Sequence, residues 1–140
     1  MNLVITDSGL GGLSVCAQLI SILKKSSSPR NLDKISEILK ISYINAVPSN
    51  EHGYNSMSSK SEQIEIFEKI LRNTEQLVEP KYIFVACGTL SVILKDTYFK
   101  KENPRLIDGI LSLGINLIMQ SLSQNSDSKV IIFGTPTTIS

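Results

Sequence analysis

Cys87 and Asp7 are the side chains whose setting most invites chemistry. Cys87 follows the apolar run "YIFVA" and precedes "GTLS", so it belongs at a strand end beside a helix start, where free amides and the helix dipole stabilise a thiolate. Asp7 and Ser8 follow "NLVI" in the same way, and Gly134, Thr135, Thr137 and Thr138 follow "VIIF". A thiol, a carboxylate, hydroxyls and amides after successive strands suit one reaction type in particular. Hydroxyls and amides hold a small carboxylic acid while the thiolate removes the proton from its α-carbon. The other cysteine, Cys16, falls within an apolar helical stripe and reads as a small core hydrophobe.

The elements that must position these groups alternate along the chain. Short apolar runs rich in β-branched residues predict strands at Leu3–Thr6, Ile41–Asn45, Tyr82–Ala86, Leu106–Ile110 and Val130–Phe133. Between them, 3.6-residue periodicity predicts helices over 12–25, 61–78, 90–99 and 112–123. In the first helix Leu13, Cys16, Ile20 and Leu23 form the stripe expected to face the sheet, and "KKSSSPRN" after it reads as a surface connection. This alternation is the mark of an α/β chain, a flavodoxin-like parallel sheet of βαβ units. Parallel sheets bind ligands beyond the carboxyl ends of their strands, which is where Asp7, Ser8, Cys87, Thr89 and Thr138 fall. The long segment "NAVPSNEHGYNSMSS" follows the second strand there, and its His52 reads as an exposed, incidental residue. The last strand and its helix start end at Ser140, so 1–128 reads as one α/β unit and 129–140 as the beginning of a second, truncated one.

Composition narrows the partner. The 140 residues are 41% hydrophobic and 19% charged with a formal net charge of +1, enough apolar material for a core and too little field for a nucleic-acid footprint or a membrane-surface patch. No run approaches the roughly 20 apolar residues of a membrane helix, and the N-terminus lacks a basic, cleavable leader, so the expected location is the cytoplasm. Two cysteines are too few for a disulfide framework. A small molecule is the expected ligand, and a homodimer is compatible with the sequence. A dinucleotide site fits poorly: "GLGGLS" puts Ser14 where a third glycine belongs, the second strand ends in Asn45 rather than an acid, and Asp7 would repel a pyrophosphate. A plainer alternative is that Asp7 or Ser8 caps the first helix and the glycines only form the turn.

Three segments carry a resemblance. "TDSGLGGLSV" is similar to the opening motif of cofactor-independent glutamate racemases, "VACGTLSV" resembles their cysteine motif, and "IIFGTPTTIS" resembles the segment that opens their second half. The resemblance, to the aspartate/glutamate racemase superfamily, spans nearly the whole chain. It implies one half of a two-domain pseudo-symmetric fold, an amino-acid isomerase without metal or cofactor, and a role in supplying D-glutamate for peptidoglycan. It implies Cys87 as the first catalytic base, Asp7 as its assistant, and Ser8, Thr89 and Thr138 as substrate-binding residues. The chain departs from the family in carrying Gly88 where an asparagine is usual, and Gly53, Tyr54 and Asn55 where a Pro-Tyr-Gly loop is usual; these positions are also expected to line the substrate. A two-base racemase needs a second acid/base group, a cysteine in the second half of the family, which this chain lacks. The expected activity is therefore amino-acid racemisation with half a site present, and this chain alone inactive. The alternatives are a non-catalytic relative that binds a small acid and, further off, a nucleotide-binding domain.

Overall fold

A computed structural model of the chain describes residues 1–48, 53–124, 127 and 129–139. Four strands, β1 (Asn2–Asp7), β2 (Lys40–Asn45), β3 (Tyr82–Val85) and β4 (Ile107–Gly109), form one parallel sheet in the order β2-β1-β3-β4. The α/β, parallel βαβ expectation is met. Val4 pairs with Ile83 and Ile5 with Phe84, so the pleat sends Val4, Ile83 and Val85 to one face and Leu3, Ile5, Tyr82 and Phe84 to the other.

The chain moves one way from β1 to β2 and the opposite way through β3 and β4, so right-handed crossovers put the connecting helices on opposite faces. Helix α1 (Gly11–Ser26) and helix α2 (Pro29–Ile38) connect β1 to β2. Helix α3 (Lys60–Val78), helix α4 (Gly88–Leu94) and helix α5 (Tyr98–Glu102) cover the other face. There the core is closed: Phe67 and Leu71 of α3 and Leu90 and Ile93 of α4 are fully buried with Val4, Ile83 and Val85. Burying side chains of this size stabilises by about 1.5–3 kcal/mol each. Helix α3 begins at a paired cap, in which Ser59 Oγ accepts the Glu62 N–H and Glu62 reaches back to Ser58. It ends at Glu79 in the left-handed region (φ 48°). Arg72 binds Glu68 and Glu102 and lies over the Phe99 ring, tying α3 to α5.

Several sequence expectations need correction. The connection after α1 is not all coil, because Pro29, which suits a first helical turn, starts α2. The helix expected over 90–99 is two helices: Thr97 turns the chain, its Oγ1 donating to the Leu94 carbonyl and accepting the Lys100 N–H that opens α5. Of the α1 stripe, Cys16 is buried, but Leu13 and Ile20 are 45% and 40% exposed. The strand expected at Val130–Phe133 does not form; the run lies unpaired and Phe133 is 90% exposed. An apolar run becomes a strand only where an edge receives it, and this one leads into helix α7 (Pro136–Ile139), which is held at the end of the sheet by threonine contacts to α4. Helix α6 (Ile110–Gln124) packs along α4 and has no buried residue. Among the described residues no helix is long and apolar enough to cross a membrane.

Candidate active site

The carboxyl ends of β1 and β3 are adjacent, with Thr6 opposite Val85, so the residues just beyond them meet. Ser8 Oγ lies 3.0 Å from Cys87 Sγ. Cys87 is the residue before α4 and is 9% exposed, and no side-chain capping bond occupies its thiol. Beside it, three threonine hydroxyls form a triangle: Thr89 to Thr135 at 3.1 Å, Thr89 to Thr138 at 3.3 Å and Thr135 to Thr138 at 2.9 Å. Each hydroxyl has one proton to donate and can turn it toward an incoming anion. Thr135 completes this triangle although the family resemblance pointed to Thr138 alone; its place in the hydroxyl-rich "GTPTT" was the signal.

Gly88 explains how the triangle closes. A Cβ at position 88 would stand 3.1 Å from Thr138 Cγ2, so the space that an asparagine side chain would take is occupied by α7. Residue 88 contributes close approach instead of an amide.

Asp7 is buried and points back along its own chain, accepting the Gly12 N–H at 2.5 Å. It thereby satisfies one orphan amide of the α1 N-terminus, the plain capping role open to it from sequence. The thiol's hydrogen-bond partner is Ser8. Among the described residues no glycine has a positive φ, and of the opening glycines Gly11 and Gly12 serve close contact with Asp7. A Cβ on Gly12 would lie 2.9 Å from both Asp7 Cβ and the Tyr43 ring. Tyr43, which sequence reasoning did not single out, donates its hydroxyl to the Gly9 carbonyl and pins the turn from β2. Nothing in its alternating strand context distinguishes it.

The segment after β2 supplies the third wall. His52 lies outside the described residues. Gly53 is exposed at the head of a short 3-10 turn, its carbonyl accepting from Ser56. Asn55 Oδ1 accepts from Thr137 Oγ1 at 3.1 Å, joining this turn to α7. Tyr54 is 2% exposed, its ring edge-on to Phe67 with centroids 6.4 Å apart. Its backbone carbonyl accepts from Gln63, but its hydroxyl is buried without a hydrogen-bond partner. Burial, and secondarily the charge Cys87 would carry as thiolate, push the Tyr54 phenol well above its ordinary value. Burial likewise raises the Cys16 thiol, the behaviour of an inert core cysteine.

The structure thus gathers Ser8 with Cys87, and Thr89 with Thr135 and Thr138, and places Tyr54 in the same buried cluster as Cys87. It engages Asp7 with the α1 N-terminus and leaves Gly53 at the periphery. Comparison of the chain with family models, curated proteins and solved structures returns no match.

Proposed function

We propose that this chain carries half of a cofactor-independent amino-acid racemase site, with Cys87 as the acid/base group for the α-proton of a small amino acid such as glutamate or aspartate. The observation that supports the reading best is the Ser8–Cys87 contact of 3.0 Å at the carboxyl ends of two neighbouring parallel strands. There Ser8 donates to the thiolate, or accepts from the thiol once the proton has been taken. The hydroxyls of Thr89, Thr135 and Thr138 hold the substrate carboxylate, whose negative charge grows as the α-proton leaves. The unsatisfied Tyr54 hydroxyl offers a further donor that a polar ligand would satisfy.

A single thiol can take the α-proton and return one from solvent to the same face. That exchanges hydrogen without inverting the carbon, and inversion needs a second group on the other face. In deuterated buffer the chain should therefore wash out the α-proton of one enantiomer of glutamate or aspartate while leaving its circular dichroism unchanged. Proton NMR follows the loss. Cys87→Ser keeps the size but raises the base's pKa far above neutral, so the rate should fall at least about a thousandfold, near 4 kcal/mol of barrier. Equal exchange in Cys87→Ser and the parent chain would remove the thiol from the mechanism. Ligand binding without any exchange would favour a non-catalytic acid-binding protein. The same site serves a cytoplasmic enzyme of D-amino-acid supply for peptidoglycan, which is the cellular role we attach to this reading.

A further inference from the structure

Tyr43 stands opposite Ile5 in β2, on the sheet face that α1 covers, and packing accounts for a tyrosine ring there. The ring lies against the start of α1, where a Cβ on Gly12 would stand 2.9 Å from Cε2. Packing does not account for the hydroxyl. It donates to the carbonyl of Gly9, 34 residues away in the chain. One side chain thus brackets the turn from Gly9 to Gly12, directly after Ser8.

Ser8 lies between two tethered neighbours. On one side Asp7 pairs with Asn45 at the end of β1, and its carboxylate accepts the Gly12 N–H at 2.5 Å. On the other side Gly9 is held by Tyr43. Among the described residues Gly9 makes no other hydrogen bond, and a Cβ there would meet nothing within 4 Å. Leu10, next along, is 69% exposed. The tyrosine hydroxyl is therefore what fixes the backbone just after Ser8.

Ser8 Oγ meets Cys87 Sγ at 3.0 Å. A serine hydroxyl is one bond from Cβ and goes where its backbone goes, so a shift of about 1 Å would carry the contact to about 4 Å, beyond hydrogen-bonding range. We infer that Tyr43 is a positioning residue for the chemistry of Cys87: by holding the Gly9 carbonyl it keeps the Ser8 hydroxyl against the thiol. The inference rests on the reading of Cys87 as the acid/base group, and it gives β2 a part in a site whose contacts come from its neighbours. Burial, followed by the charges of Asp7, Cys16 and Cys87, pushes the Tyr43 phenol above its ordinary value, so at neutral pH it keeps the proton it donates.

Tyr43→Phe removes the hydroxyl and keeps the ring on Gly12. Cys87 alkylation by iodoacetamide at pH 7.5 is compared by peptide mass spectrometry in the parent chain, Tyr43→Phe, Ser8→Ala and the double variant. Tyr43→Phe should slow Cys87 severalfold, as Ser8→Ala does. The double variant should be no slower than Ser8→Ala, because a residue that acts through Ser8 has nothing to act on once that hydroxyl is gone. Cys16 should label at the same rate in all four. With glutamate or aspartate in deuterated buffer, kcat for α-proton loss should fall about tenfold, within what a misplacement of about 1 Å costs, with KM unchanged because the threonine hydroxyls are undisturbed. Should Tyr43→Phe lose its helical circular dichroism, Tyr43→Met carries the same test. An unchanged Cys87 rate overturns the inference, as does a double variant slowed by the product of the two single effects, or a raised KM at constant kcat. Faster Cys16 labelling also overturns it, since Tyr43 would then act on the fold of α1 and not on Ser8. A parent chain that alkylates as expected but exchanges no α-proton removes the racemase reading, while the alkylation rates still decide the role of Tyr43.

Discussion

Cys87 and Cys16 are chemically identical, yet they are set up for different fates. Cys16 is packed within α1, and burial raises its thiol pKa. Cys87 faces a hydroxyl at the end of β3, with the first amides of α4 beside it. The Ser8 hydroxyl is the polar group in direct contact with that sulfur, at 3.0 Å. With iodoacetamide at pH 7.5, Cys87 should be alkylated at least ten times faster than Cys16, read by peptide mass spectrometry. In Ser8→Ala the Cys87 rate should drop severalfold, with Cys16 unaffected. If Cys16 labels as fast, the two thiols are not differentiated, and if the Cys87 rate is unchanged in Ser8→Ala, the serine does not assist the thiol.

At the scale of elements, α7 is a short piece held directly beside the chemistry. It rests on hydroxyl contacts to Thr89 and Asn55 and on the absence of a side chain at Gly88. Gly88→Val should dislodge it. Global stability should change by less than about 1 kcal/mol, since the segment buries no residue. The amides of Thr138 and Ile139, both bonded to the Thr135 carbonyl, should exchange markedly faster by NMR. Unchanged exchange would mean that α7 docks without needing that space. The same element marks where the sequence stopped being legible. β1 to β4, α1, α3 and α6 follow from apolar periodicity because each has a partner that rewards it, and the strand-end rule brought Ser8, Cys87, Thr89 and Thr138 to one edge. The run at Val130–Phe133 has the composition of a strand, but composition does not reveal whether an edge will be there to pair with it. The break between α4 and α5 was hidden because Thr97 ends one helix and caps the next with a single hydroxyl. The carboxylate of Asp7 was legible both as an acid near the site and as a cap for the first helix, and spacing alone did not choose between the two.

For the whole molecule, the titrating groups inside it fix how stability responds to pH. Burial is the leading cause that raises Cys16, Tyr43, Tyr54 and Tyr82 above their ordinary values of 9.0 for the thiol and 10.0 for the phenols. All four are neutral when protonated, so the folded chain keeps protons that the unfolded chain releases above pH 9. The unfolded state then binds fewer protons, and the stability of the fold, fully present below pH 9, is lost as pH climbs beyond it. The urea midpoint should be flat from pH 7 to 8.5 and fall from about pH 9 upward. Tyr54, almost fully buried, contributes a slope of up to about 1.4 kcal/mol per pH unit above pH 10. Tyr54→Phe should flatten that slope. At pH 7 it should leave stability unchanged or raise it, because it removes a buried donor that has no acceptor. If the Tyr54 hydroxyl instead serves a ligand, the same substitution should weaken the protection that glutamate or aspartate gives Cys87 against alkylation, while the fold is as stable as before. Urea titrations at pH 7 and 10.5, run beside that protection assay, separate the two roles: lost stability at pH 7 would mean the hydroxyl holds the fold, and lost protection alone would mean it meets the substrate.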